Sequence, residues 1–173
     1  MSRKILITYA SRAGSTEQTA AYMGQTLRDK GFTVDVKPIK ENPDPSPYAA
    51  VLCGSAIRGG AWLPEAVDYV RDHHDVLAER FFVAWTMCLT LADDTPEHRE
   101  QVSDYLAPIR EIVQPEAEGF FAGVMDLSKL SFPVRLLIKA MKAPSGDFRD
   151  WDAIRNWLDE LTPLLEEETE ATR

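Results

Sequence analysis

Ser11, Gly14, Ser15 and Thr16 fall in one short run, TYASRAGST (8–16). Three hydroxyls gathered around a glycine, with small Ala13 beside it, suit an oxyanion. A nucleoside-triphosphate loop would end in Gly-Lys-Ser/Thr, and a dinucleotide fingerprint would space three glycines; the run has neither. Hydroxyls, backbone N–H groups and the positive end of a following helix suffice for a single terminal phosphate. Taken alone, Ser15 or Thr16 reads equally well as an ordinary helix N-cap. The grouping of all three hydroxyls about Gly14 favours a ligand. Arg12 either adds charge to that phosphate or is simply solvated.

The elements around the run must position it. KILITY (4–9) reads as a buried strand, and Ala20, Met23 and Leu27 mark a helix over 15–30 that stops at Gly31. FTVDVKP (32–38) alternates like a strand nearer an edge, and the prolines of ENPDPSP (41–47) make a loop. AAVLCGS (49–55) and RFFVAWTM (80–87) read as strands, with a helix from Pro64 to about Leu77 between them. A Thr-capped helix covers 95–112, kinked or stopped late by Pro108, and AEGFFAGVM (117–125) is a fifth strand. The last helix spans 150–167, capped by Asp150 or Asp152, with an apolar stripe of Trp151, Ile154, Trp157, Leu158 and Leu161. The acidic tail, about 166–173, is expected to fray. Strands alternating with helices imply a parallel, doubly wound α/β sheet, and two strand orders fit five units, one of them the flavodoxin-like 2-1-3-4-5. Its ligand lies at the carboxyl ends of strands 1 and 3. That places loops 10–16, 55–63 and 87–95 at the site.

Composition narrows the function. The chain has 173 residues, which suits a single domain. The formal net charge of −9 excludes nucleic acid as a non-specific partner. Cys53 and Cys88 form no C-x-x-C pair, which argues against disulfides or zinc and fits a reducing, cytoplasmic setting. Adjacent His73 and His74 would point about 100° apart on a helix and could not grip one metal together. The N-terminal apolar run is too short for a secretory signal, and no stretch of about 18 apolar residues spans a membrane.

ILITYASRAGSTEQTAAYM resembles the phosphate-loop signature of the flavodoxin superfamily, matching at Tyr9, Ser11, Gly14, Thr16 and Ala20. Thr8 and Met23 depart mildly from it. GSAIRGGAWLPEA is similar to the flavin loop of the superfamily's menaquinone-dependent protoporphyrinogen IX dehydrogenase branch, through Gly54, Ser55, Ala56, Ile57, Arg58 and Trp62. Gly59 and Ala61 depart, where that branch often carries larger residues. The resemblance covers nearly the whole chain. It implies a flavodoxin-like three-layer sandwich with non-covalent FMN. It also implies electron flow from a reduced tetrapyrrole to a membrane quinone in haem biosynthesis. Trp62 is then a candidate to stack on the isoalloxazine, or a cover for a helix start. Arg58 is a candidate for the flavin's pyrimidine edge, or a surface ion pair. Thr86, Met87, Cys88 and Leu89 become ring-edge candidates, although Cys88 reads more readily as a small core residue. Cys53 is core.

An insertion at about 125–149 separates the fifth strand from the last helix. Its segment KLSFPVRLLIKAMKA (129–143) carries Lys129, Arg135, Lys139 and Lys142 and no acid. Arg135, Lys139 and Lys142 recur at i, i+4, i+7, one face of a helix, with a broad apolar surface beside them. A basic amphipathic helix in an acidic chain reads as interfacial, a peripheral membrane contact. The same segment reads equally as a packing arm over the flavin or against a second copy in a homodimer. The leading function is an FMN-dependent oxidoreductase. Its rivals are a soluble electron carrier, which the acidic balance favours, and a flavin-binding interaction module.

Overall fold

The computed structural model describes residues 4–171. Its strands are β1 (Lys4–Ala10), β2 (Thr33–Pro38), β3 (Ala50–Arg58), the short β4 (Ala61–Trp62), β5 (Phe81–Cys88) and β6 (Ala117–Ala122). Five are parallel in the order β2-β1-β3-β5-β6, and β4 pairs back on β3. Apart from that extra β4, this is the expected order 2-1-3-4-5. A separate two-stranded ribbon joins β7 (Val124–Met125) to β8 (Gly146–Asp147). The helices are α1 (Ser15–Asp29), α2 (Pro64–Asp72), α3 (His74–Ala78), α4 (Pro96–Asp104), α5 (Ala107–Ile112), α6 (Phe132–Ala140) and α7 (Trp151–Ala171).

Alternation along the central strands assigns the helices to two faces. Ile5, Ile7 and Tyr9 of β1 join Met23 and Leu27 of α1 and Ile154 and Leu158 of α7 in one core. Leu6 and Ala10 join Ala66 and Val70 of α2 and Ile109 of α5 in the other. The sheet is buried on both sides, which explains its near-continuous apolar strands.

α1 buries Ala20, Met23, Gly24 and Leu27 along one stripe. It ends in a Schellman motif: the Gly31 amide donates to Arg28 (2.9 Å) and the Phe32 amide to Leu27 (3.1 Å), with Gly31 at φ 95.

Several boundaries differ from the sequence reading. The helix expected from Pro64 to Leu77 breaks at His73, whose ring meets the Asn42 side chain at 2.9 Å. The 95–112 helix splits at Tyr105–Leu106. Pro108 lacks an amide and would clash with the carbonyl four residues earlier, so the kink alternative holds. The fifth strand ends at Ala122, and residues 124–125 pair with β8 instead. Asp150, not Asp152, caps α7, accepting from the Ala153 amide at 2.9 Å. The tail is not frayed through Ala171: Leu165 and Thr169 continue the buried stripe. Thr172 and Arg173 lie outside the described residues.

Candidate functional site

The hydroxyl run caps the carboxyl end of β1. Gly14, at φ 88, is the residue before α1, and no side chain caps this helix. The N-cap alternative for Ser15 and Thr16 therefore falls, and the first-turn amides lack intrahelical acceptors. Ser11 shapes the loop by accepting the Gly14 amide at 3.0 Å. Its own O–H stays available to donate.

Thr16 is the most telling of the three. It is fully buried, and its Oγ1 has no hydrogen-bond partner. A buried hydroxyl without a partner costs stability unless something else satisfies it. Three other buried polar atoms among the described residues share that condition, on Thr8, Trp85 and Arg135. Thr16 lines a cavity of ≈ 520 Å³ together with Ser11, Arg12, Ala13, Ser15, Ala56, Ile57 and Arg58. That volume lies within the usual range for small-molecule sites. Two of the three expected loops thus meet at one cavity.

Other expected residues take different places. Gly14 borders a neighbouring cleft of ≈ 590 Å³ with Arg12, Glu17 and Glu65. Arg12 grips the Glu65 carboxylate with both terminal nitrogens, which holds that carboxyl below its ordinary range. The pair holds the guanidinium toward α2, while Arg12 also lines the cavity that Thr16 borders.

Trp62 corrects the stacking expectation. β3 runs on through Arg58, and Gly59 and Gly60, at φ 60 and 75, turn it back into β4. Two central residues with positive φ are the signature of a two-residue hairpin turn. The turn carries Trp62 inward until it is 3% exposed, with its indole N–H donating to Thr86 Oγ1 at 2.8 Å. Ser55, also buried, accepts the Leu63 amide at 3.0 Å. Ser55, Trp62 and Thr86 thus brace the loop from beneath. Met87 and Cys88 are buried as well, so these side chains offer no ring edge. Leu89 opens a short 3-10 turn (Leu89–Ala92) and is half-buried. Cys53 is core, and burial pushes its thiol up. Among the described residues, no cluster of His, Cys, Asp or Glu could hold a metal.

One wall of the cavity comes from the insertion, where the sequence had offered a packing arm over the flavin as one of its alternatives. Val124, Met125, Asp126, Lys129 and Leu130 complete the lining, together with Leu63. Lys129 Nζ donates to the Ala13 carbonyl at 2.9 Å. Arg149 donates to the Ser15 carbonyl at 3.3 Å and Gln18 at 2.9 Å, and pairs with Asp147 at 2.7 Å. A second chamber of ≈ 530 Å³ opens between these straps and α1. Lys129, expected with Arg135, Lys139 and Lys142 at a membrane or partner contact, thus precedes the helix and lines the cavity.

The expected basic face is also broken. Arg135 turns back to the Leu130 carbonyl at 3.2 Å, and Lys142 lies past the helix in a left-handed conformation (φ 53). Lys139 remains exposed on α6. The apolar residues, by contrast, are open: Phe132 is 72% and Met141 67% exposed, with Val134, Leu136 and Leu137 between them.

A parallel sheet of this order, with a hydroxyl-lined loop at its switch point, defines a flavodoxin-like protein. The chain belongs to the flavodoxin domain family, whose model matches residues 6–152. Protoporphyrinogen IX dehydrogenase (quinone) of Escherichia coli (strain K12) is 22% identical over 180 residues, 96% of this chain and 98% of the relative. The protein of the same name from Leishmania major is 26% identical over 178 residues, 94% of this chain and 76% of the relative. Two solved structures share the fold. One is a flavoprotein from Lactobacillus acidophilus NCFM in complex with FMN, with TM-score 0.51 and 13% identity over 68% of this chain and 92% of that one. The other is a flavodoxin from Streptococcus pneumonia TIGR4, with TM-score 0.50 and 18% identity over 98% of this chain and 99% of that one. The residues present fit a flavin phosphate: the unpartnered Thr16 hydroxyl, the Ser11 hydroxyl and the free amides of α1 converge on one loop.

Proposed function

We propose that the protein is an FMN-dependent oxidoreductase that takes electrons from a reduced tetrapyrrole and passes them to a quinone at a membrane surface. Bound FMN would supply the redox centre. The chain's own residues would do the rest. Ser11, Thr16 and the first amides of α1 hold the phosphate. Ala56, Ile57 and Arg58, which line the same cavity, would flank the ring, and Arg58 would supply a cation for an anionic group there. Met125 and Leu130 keep water from the covered side.

The observation that carries this reading is the division of labour within the insertion. Residues of the 124–130 segment wall the cavity, while α6, immediately after them, presents four large apolar side chains outward, with Met141 exposed just past its end. A diffusing carrier has no use for an apolar helix joined directly to its cofactor wall. A quinone and a hydrophobic tetrapyrrole both reside where such a helix would settle, at the face of a bilayer. The names of the two curated relatives support the substrate pair. Among the described residues, no helix is long and apolar enough to cross a membrane, so contact would be peripheral.

The rival reading, a soluble electron carrier, draws on the net charge of −9. Co-sedimentation with vesicles containing a menaquinone analogue, coupled to quinone reduction by the dithionite-reduced protein, separates the two. The oxidoreductase sediments with the vesicles and is reoxidised by their quinone. A carrier stays in the supernatant and remains reduced.

A further inference from the structure

Four cations border the hydroxyl loop and its cavities, Arg12, Arg58, Lys129 and Arg149, and two of them are already neutralised. Arg12 is bidentate on Glu65, and Arg149 is paired with Asp147. Lys129 makes no ion pair within 4.0 Å among the described residues. Asp126 feels its charge, but Asp126 Oδ1 is taken by the amide and hydroxyl of Ser128, at 3.0 and 2.6 Å. An ammonium has three donors, and Lys129 spends one on the neutral Ala13 carbonyl. It faces the same cavity as the buried, unpartnered hydroxyl of Thr16. Apart from the paired Arg12, the loop itself contributes only neutral donors. Arg58, also without an ion pair among the described residues, ends β3 on the same cavity, but Lys129 is the cation bonded to the loop itself. A cradle of neutral donors with an uncompensated ammonium held against it suits a doubly charged terminal group.

We propose that Lys129 is a phosphate ligand lent to the cofactor site by the insertion. The assignment rests on the reading that this site holds FMN. Through Lys129 the protein distinguishes FMN from riboflavin, which has the same ring and no phosphate. Lys129 lies just ahead of α6, so the phosphate and the outward helix also hold each other in place. Any coupling between them is reciprocal: whatever loosens the insertion loosens the phosphate.

The test is a pair of titrations, FMN and riboflavin, on the full-length apoprotein as wild type, Lys129→Gln and Lys129→Arg. Lys129 is exposed, so neither substitution threatens folding. The wild type should prefer FMN. Lys129→Gln should bind FMN about tenfold or more weakly, the factor carried by one hydrogen bond to a charged group. Its riboflavin affinity should not change, and Lys129→Arg should keep most of the preference. An FMN-to-riboflavin ratio in Lys129→Gln equal to the wild type's overturns the assignment, whether both affinities hold or both fall. Lys129 would then be a strap and not a ligand. Binding of neither flavin by the wild type overturns the FMN reading and this assignment together.

Discussion

Thr16 concentrates the account at the scale of the residue, because its hydroxyl is buried and unpartnered in the protein alone. Replacing it with the nearly isosteric valine separates ligand from scaffold. Thr16→Val should weaken FMN by about 1.5–3 kcal/mol, the loss of one hydrogen bond to a charged group. The apoprotein should be unchanged or up to about 1 kcal/mol more stable, since an unsatisfied group is removed. Flavin titration and thermal melts of the apoprotein read the two effects independently. Trp62 behaves in the opposite way. Trp62→Phe removes the donor to Thr86 and should cost about 1–3 kcal/mol in urea denaturation, while emission from bound flavin stays as in the wild type. A rise in that emission would mean that the indole does face the ring. The contrast shows what could be read from single residues. Ser11, Gly14 and Thr16 suggested an anion loop by type and spacing, and the structure gathers them between β1 and α1. The burial of Trp62 could not be read the same way, because it depends on the chain reversing at Gly59 and Gly60.

Between residue and molecule, the elements decide which face a residue meets. The Gly59–Gly60 turn holds two consecutive residues at positive φ, so Gly59→Ala should destabilise by roughly 1 kcal/mol, readable as a shift in the urea midpoint. Strand and helix periods marked the five-unit sheet, whereas its order came with the flavodoxin resemblance. Breaks at His73 and Tyr105 were harder to place, since one depends on a distant Asn42 and the other on where Pro108 forces the kink. The insertion was legible as an insertion, but its division into a wall and an outward helix was not. That division rests on tertiary contacts from Lys129 and Arg149 to the loop after β1. Arg149→Ala should release β8 and speed proteolysis within residues 124–149, leaving the parallel sheet intact. The hydrogen bond from Arg149 holds Asp147 below its ordinary 3.8. A lowered carboxylate contributes fully above its unfolded value and loses that contribution as pH falls through the folded one. The insertion should therefore stay seated, by the same proteolysis assay, throughout about pH 5 to 8.

For the whole molecule, an acidic body carries an apolar helix beside its cofactor cavity. The sequence suggested a basic stripe, but Arg135 is turned inward and Lys142 lies off the helix. Burial of Phe132, Leu136, Leu137 and Met141 should then dominate vesicle binding, at roughly 1.5–3 kcal/mol per fully buried side chain. Leu136→Glu with Leu137→Glu should abolish co-sedimentation with FMN content intact, whereas raising salt should weaken binding only modestly. In the proposed function, the cavity, its wall and this helix serve one electron path from tetrapyrrole to quinone. Anaerobic stopped-flow spectroscopy of the FMN-loaded protein tests it most directly, by following flavin absorbance as protoporphyrinogen IX and then a menaquinone analogue in vesicles are added. The flavin should bleach with the tetrapyrrole and recover on addition of the quinone. Flavin that dithionite reduces but protoporphyrinogen IX leaves oxidised would contradict it and identify a carrier.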